Sequence, residues 1–170
     1  MSFADFIRTT VLLCAAAATT LAAVTVLAAA AEHDPNAVTI PFVWWAVAAV
    51  IGIALEARGR TLPAIARLLA TARSVNDVPE PRPGLIMITR LWPLLILTLL
   101  ACVLSIVAPQ IPGIATGFVI MSALAWRNQY GAVLAVEGRD GVRFYVERTP
   151  FWRAISLSRT PGFKVYRPTL

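Results

Sequence analysis

Acid–base and metal-binding side chains come together at one place in the sequence, the tripeptide Glu32-His33-Asp34. His33 is the single histidine, and imidazole and carboxylate groups are among the ligands that zinc uses in catalytic sites. Three consecutive residues of a short loop cannot all point at one ion, and no Cys or His elsewhere has the spacing of a zinc site. We therefore expect no metal and no cofactor, and His33 is left as the only catalytic candidate.

Cys14 and Cys102 are the other reactive side chains, and both lie inside long apolar runs. No cysteine or histidine lies near either of them in sequence, which indicates packing residues rather than a disulfide or a metal site. The sequence also lacks a Ser/His/Asp set and a glycine-rich phosphate loop. Nothing in these patterns favours an enzyme.

The composition places these residues in a membrane protein. The 170 residues are 58% hydrophobic and 14% charged, and their mean hydropathy is +0.73. The charges are segregated, because Thr9–Ala31, Pro35–Leu55 and Leu91–Trp126 contain none. Uncharged runs of roughly 20 residues match the helix length that crosses about 30 Å of hydrocarbon, and they lack the alternation of barrel strands. The sequence predicts an integral membrane protein of mainly α class.

Four transmembrane helices that form two antiparallel hairpins are predicted, over residues 9–31, 40–56, 85–107 and 113–129. The uncharged run from Leu91 to Trp126 is divided because Pro109, Pro112 and Gly113 favour a turn over one very long helix. A re-entrant hairpin is the alternative for this run. A cleaved signal peptide is the alternative for the first run, although its apolar stretch is longer than a typical signal core.

The distribution of Lys and Arg predicts the orientation. Of the 15 basic residues, one lies at the N-terminus, six lie in residues 56–90, and eight lie from Arg127 onward, whereas the loops 32–41 and 108–113 have none. Because basic residues stay on the cytoplasmic side, both termini and the middle loop should face the cytosol, in a multi-pass protein of the cell (inner) membrane. The isoelectric point of 10.4 then reflects this topology and contact with anionic inner-leaflet lipids. Nucleic-acid binding is not expected.

The middle loop contains an amphipathic segment, residues 61–75. At 100° per residue its Leu, Ile and Val side chains share one face, and Arg67 lies on the opposite face, as does Arg60 just before the segment. This pattern predicts an interfacial helix lying flat on the inner membrane surface, and a helix that binds a partner protein is the alternative. Residues 76–84, with alternate prolines, are predicted to be an extended linker.

The last 40 residues are predicted to be a basic cytosolic β tail, residues 131–170, which follows a transmembrane domain of residues 1–130. Charged and apolar residues alternate there, and Arg139-Asp140-Gly141 suits a three-residue hairpin turn. That turn would pair Glu137 with Arg143, and it would give the hairpin one apolar face. The face would consist of Leu134, Val136, Val142, Phe144 and Val146. Because an isolated hairpin is marginal in water, this face needs a cover: a third strand at residues 153–158, the amphipathic helix, or another protein.

Two sets of residues are candidates for binding. Basic and aromatic residues of the loop and tail form a candidate surface for lipids or a partner: Arg60, Arg67, Arg143, Phe144, Arg148, Trp152 and Arg153. Small residues spaced by four are candidates for helix packing: Ala48, Gly52, Gly113 and Gly117. Packing within the chain is the simpler interpretation of these spacings, and association with a membrane protein partner or a second copy is the alternative.

The polar groups inside the predicted spans are hydroxyls: Thr19, Thr20, Thr25, Ser105, Thr116 and Ser122. Each can donate to its own helix backbone, and the three uncharged runs contain no ionisable group for an ion or a proton. The leading hypothesis is a small inner-membrane protein without catalysis, acting as a scaffold or accessory subunit. An oligomeric channel or transporter component is the second hypothesis, and a lipid-modifying enzyme that uses His33 is the third.

Overall fold

The chain is mainly helical, as predicted, with a small β-sheet at one end. The computed structural model describes residues 1–32, 35–57, 69–74, 83–108, 110–147 and 155–161. Within these ranges the helices are α1 (Phe3–Glu32), α2 (Pro35–Ala57), α3 (Pro83–Leu104) and α4 (Gln110–Asp140). The strands are β1 (Arg73–Ser74), β2 (Val142–Val146) and β3 (Leu157–Pro161).

Two helices are long and apolar enough to cross a membrane, Phe3–Ala31 in α1 and Gly84–Leu104 in α3. In the most apolar parts of these helices only 22% and 11% of the residues are buried, whereas the core helix of a soluble protein is mostly buried. Thr39–Leu55 in α2 is apolar but shorter. By length and composition the described chain thus has two helices suited to a membrane, and the other two predicted crossings rest on the sequence.

Helix α1 begins before the predicted span because Ser2 supplies an N-cap. The Ser2 hydroxyl donates to the Asp5 carboxylate at 2.5 Å, and the Asp5 backbone N–H donates to Ser2 Oγ at 3.1 Å. The second bond satisfies a backbone N–H that a helix N-terminus otherwise leaves open, and the first holds the two side chains together. The 30 residues of α1 extend about 45 Å, which is longer than a hydrocarbon layer of about 30 Å.

Two helices begin earlier than predicted, each at a proline. Helix α2 begins at Pro35 instead of residue 40, and α3 begins at Pro83, inside the predicted linker 76–84. Proline suits the first helical turn because its missing N–H has no partner there. The predicted break between the third and fourth helices is confirmed, since α3 ends at Leu104 and α4 starts at Gln110.

Helix α4 continues far beyond its predicted end at residue 129. It reaches Asp140, so the predicted first hairpin strand is helical and the turn at residues 139–141 is wrong. Val133 is fully buried and Val136 packs against the same core, and residues three apart share one helical face. Gly141, with φ of 61°, ends the helix in the left-handed conformation common after a helix C-terminus. The predicted domain division between residues 130 and 131 falls inside α4.

The tail contains a β-hairpin, as predicted, but from different segments. Strand β2 pairs antiparallel with β3, from Val142 opposite Pro161 to Val146 opposite Leu157, and β1 runs parallel to β3. The predicted Glu137–Arg143 pair is therefore wrong, and β3 starts near the end of the predicted third strand, residues 153–158. Most of the predicted interfacial helix lies outside the described residues. Of its described residues, Leu69 and Ala70 are helical, whereas Arg73 and Ser74 form β1.

One apolar cluster holds the sheet against the helices, and we call it the cap core. Alternate residues of β2 enter it, as the pleat requires, together with residues from α1, α3, α4 and the middle segment. Its members are Phe3, Phe6, Ile7, Leu69, Ile86, Val133, Val142, Phe144, Val146 and Leu157. The cover of the apolar strand face is thus supplied within the chain. Helix α4 is central to the fold, since it packs most extensively against α1 and next against α2.

Candidate functional site

The predicted lipid or partner surface is only partly within the described residues. Arg143 is exposed on β2, whereas its neighbour Phe144 is 2% exposed in the cap core. Successive residues of a strand point to opposite faces, so the two cannot belong to one surface. Phe144 was wrongly assigned to it. The remaining predicted members lie outside the described residues: Arg60, Arg67, Arg148, Trp152 and Arg153.

Other exposed charges lie at the sheet end of the molecule. Arg139 Nε and Asp140 Oδ1 are 2.8 Å apart, and Arg159 on β3 is exposed as well. The hydrogen bond from Arg139 lowers the pKa of the Asp140 carboxyl, and the positive charges of Arg139 and Arg159 act in the same direction. Because this ion pair is open to solvent, it contributes little to stability. Arg143 and Arg159 are exposed on opposite faces of the sheet, because Arg159 is paired with Phe144 and not with Arg143.

The outer edge of β2 is closed by groups that the sequence pattern did not reveal. The Phe144 backbone N–H donates to Glu137 Oε1 at 3.1 Å, and the Val146 N–H donates to the Met1 carbonyl at 3.1 Å. Ser2 also forms an isolated antiparallel bridge with Tyr145. An open strand edge invites pairing with other chains, and these contacts occupy it. The only signal in the sequence was the carboxylate of Glu137, which had been assigned to a cross-strand pair.

The four small residues predicted for helix packing lie between α2 and α4. Gly117 lies directly under the Trp44 indole, where a Cβ would overlap the ring, and a Cβ on Gly113 would lie 3.2 Å from Pro41. On α2, Ala48 is fully buried, and a Cβ on Gly52 would lie 2.7 Å from Leu124. The structure uses these positions for close contact inside the chain.

Both tryptophans of α2 donate hydrogen bonds to the first turns of α4. Trp44 Nε1 donates to the Ile114 carbonyl at 3.1 Å, and Trp45 Nε1 donates to the Gly113 carbonyl at 2.8 Å. An indole N–H in an apolar environment needs an acceptor, and helical carbonyls retain a second lone pair. The sequence did not predict these hydrogen bonds to α4.

Hydroxyl groups along the helices bond their own backbone, as predicted. Thr19, Thr20, Thr25, Thr116 and Ser122 each donate to the carbonyl four residues earlier, at 2.7 to 3.0 Å. Ser105 donates to the Cys102 carbonyl at 2.6 Å. These donors are therefore already used within single helices.

A cleft opens sideways between α3 and α4, and we call it the lateral cleft. It encloses about 390 Å³ and is bordered by Leu94 to Leu104 on α3, Ile111 to Ser122 on α4, and Leu21 on α1. Its walls are apolar except for the hydroxyls of Thr98 and Ser122, which bond their own helices. Ala101 and Ala115, on facing helices, leave the space that larger side chains would fill. The sequence did not predict this cleft, and those two alanines are its only local signal.

The described residues contain no group of three or more side chains suited to holding a metal ion. Cys14 is buried and Cys102 is half-buried, and both are free thiols. His33 lies outside the described residues. The chain matches no protein-family model, no curated protein and no solved structure. The lateral cleft and the exposed position of Arg143 are thus the two candidate sites.

Proposed function

We propose that the protein is a multi-pass inner-membrane protein without catalysis, and that it acts as a scaffold or accessory subunit. The proposed membrane location is supported chiefly by the apolar exterior of α1, α2 and α3. Monomeric soluble proteins rarely expose apolar patches beyond a few hundred Å². Here large aliphatic side chains more than 60% exposed occur on all three helices, among them Leu27, Ile40, Val50, Ile88, Leu97 and Leu99. A lipid environment would cover this surface.

The cap core supports an even number of crossings. It joins the N-terminus, the middle segment at Leu69 and the tail at one end of the molecule. These are the parts of the chain that carry the Lys and Arg residues, and the loops at the opposite ends of the helices carry none. Four crossings with both termini in the cytosol would produce this distribution. The burial of Phe3, Phe6 and Ile7 in the cap core favours an uncleaved first helix over a cleaved signal peptide.

Cysteine labelling tests this topology. In a Cys14→Ala/Cys102→Ala background, Gln110→Cys places a thiol at the α3–α4 turn, and Arg143→Cys places one on β2; both positions are exposed. We expect a membrane-impermeant maleimide to label Gln110→Cys in intact cells, and Arg143→Cys only after permeabilisation. Equal labelling of both positions in intact cells would overturn the proposed topology.

The scaffold role rests on Arg143, which the cap core holds in place. Arg143 is exposed on β2 between residues that are buried in the cap core, so its positive charge has a fixed position that suits an acidic partner surface. This position is tested with a photo-crosslinking amino acid at position 143 in living cells. Ile106, 86% exposed in the α3–α4 turn, is the matched control position. A discrete protein adduct from position 143 alone supports the role, and the same pattern at both positions contradicts it.

The two alternative functions have less support in the geometry. A channel formed by several copies would need free hydroxyls or small-residue faces at a subunit interface. The hydroxyls donate to their own helices, and Gly113 and Gly117 are covered by α2. A lipid-modifying enzyme would depend on His33. Flux through liposomes containing the purified protein, and an unchanged phenotype of His33→Ala, are the respective tests.

A further inference from the structure

We propose that Arg8 on α1 and Arg127 on α4 each bind the phosphate of one anionic phospholipid of the inner leaflet. The two sites rest on the proposed function, because its topology places both residues on the cytosolic side of the membrane. They add a ligand of stated chemistry and number to a protein whose proposed role is otherwise structural. Their support is the sequence position, the depth and the exposure of the two arginines.

Each arginine borders an uncharged run at its cytosolic end. Arg8 directly precedes Thr9–Ala31, and Arg127 directly follows Leu91–Trp126. Along the helix axes, Arg8 is about 36 Å from the last residue of α1, and Arg127 is about 26 Å from the first residue of α4. These lengths bracket a hydrocarbon layer of about 30 Å. In the proposed topology both arginines therefore lie at the inner boundary of the hydrocarbon, beside the lipid phosphates.

A contact between α1 and α4 places the two arginines at a similar depth. The rings of Phe6 and Trp126 meet edge to face, with their centroids 6.4 Å apart. Arg8 follows Phe6 by two residues, which is about 3 Å further into the membrane. Arg127 follows Trp126 by one residue, which is about 1.5 Å nearer to the cytosol because α4 runs in the opposite direction. Long arginine side chains can extend over such a difference to reach the same layer of phosphates.

Both arginine side chains are exposed, and neither forms a hydrogen bond or an ion pair with another side chain of the described residues. Phe6 contacts α4, and Arg8 lies about 200° further around α1, so Arg8 points away from α4. Trp126 contacts α1, and Arg127 lies about 100° further around α4. The two guanidinium groups thus face different sides of the helix pair, and each has its own lipid.

The chemistry of the guanidinium group decides which lipid binds. It can donate two parallel hydrogen bonds to one phosphate. Phosphatidylcholine also contains a phosphate, but its choline group cancels the negative charge. A net negative lipid is therefore favoured, and one basic residue near the membrane surface implies about fivefold preference.

Native mass spectrometry of the full-length protein tests both sites. The delipidated protein in detergent is mixed with equal amounts of palmitoyl-oleoyl phosphatidylglycerol and phosphatidylcholine. We expect the wild type to retain two lipids, with about fivefold preference for phosphatidylglycerol at each site. Arg8→Gln and Arg127→Gln should each remove the preference at one site, and the double variant should remove it at both. The variant Arg8→Lys/Arg127→Lys keeps the charges and should keep most of the preference.

Arg139→Gln is the matched control. Arg139 is an exposed arginine of the same helix as Arg127, but it lies about 18 Å further along α4 on the cytosolic side. This variant should keep the preference at both sites, and thermal unfolding checks that every variant is folded.

Equal retention of the two lipids by the wild type would overturn the proposal. So would a loss of preference in Arg139→Gln as large as in Arg127→Gln, or a loss of the whole preference in either single variant, which would indicate one shared site. Retention in detergent does not depend on the orientation of the protein in the cell. Cysteine labelling therefore shows separately whether the membrane topology has failed instead.

Discussion

The side chain of Glu137 accepts a hydrogen bond of 3.1 Å from the backbone N–H of Phe144. Glu137 lies in the last turn of α4, and Phe144 is the central residue of β2. The bond closes part of the free edge of the sheet and connects it to the helix that precedes it. It also requires residue 137 to be helical, because a strand there would have placed Glu137 opposite Arg143.

Removing this carboxylate should loosen β2. Glu137→Ala leaves the partly buried Phe144 N–H without its acceptor, and we expect a loss of about 1 kcal/mol in the free energy of unfolding. Hydrogen exchange measures it: the amides of residues 142–146 should exchange several-fold faster than in the wild type. Glu137→Gln keeps a side-chain carbonyl and serves as the control. Equal exchange in Glu137→Ala and the wild type would show that the bond contributes nothing.

The contact of Gly117 with Trp44 makes a second prediction. A Cβ at position 117 overlaps the indole, so Gly117→Ala must displace α2 from α4 and should cost about 1–3 kcal/mol. Gly131→Ala is the matched control, because it lies in the same helix with nothing within 4 Å of its Cβ. That variant should stabilise the helix by about 0.5–1 kcal/mol. Thermal unfolding in detergent measures both, and opposite signs are expected.

Gly141 should be intolerant of side chains that disfavour the left-handed conformation. Its φ is 61°, and alanine at such a position costs about 1–2 kcal/mol. We expect Gly141→Ala to lower the melting temperature and Gly141→Asn to lower it less, because asparagine tolerates this conformation. If Gly141→Ala melts at the wild-type temperature, α4 does not end at this residue.

The ion pair at the end of α4 predicts a pH effect of defined sign. Arg139 lowers the pKa of Asp140, chiefly through a hydrogen bond, so this carboxyl stays ionised to lower pH in the folded chain than in the unfolded one. Its small contribution to stability is present above the pKa of the unfolded state and is lost as the pH falls through the folded value. Arg139→Gln should raise the pKa of Asp140, as a carboxyl NMR titration in micelles can measure. An unchanged titration would contradict the pairing.

The apolar runs and the placement of charges were sufficient to predict a mainly helical chain, with a break after the third helix. Those features are local, because an uncharged apolar run and a pair of prolines act in almost any context. The close-packing role of Gly113 and Gly117 was also visible in their spacing. Two of the helices meet the criteria for crossing a membrane, and the other two crossings remain predictions.

The conformation of residues 131–140 was decided by the tertiary structure. Their alternation of charge and hydrophobe fits a strand, yet Val133 and Val136 also share one face of a helix. Local preferences of this kind differ by less than about 1 kcal/mol per residue, whereas burying one valine contributes about 1.5–3 kcal/mol. The cap core therefore favours the helix, and β2 pairs with a strand more than ten residues away.

The lateral cleft also depends on tertiary structure. Ala101 and Ala115 are unremarkable in sequence, because alanine is common in apolar helices. They form a cavity only because α3 packs loosely against α4, whose main contacts are with α1 and α2. The sequence by itself determined which segments are apolar and which ends are basic. Only the packing of distant segments determined the strand partners, the burial of Phe144 and the space beside Leu94, because each is a contact between residues far apart in the chain.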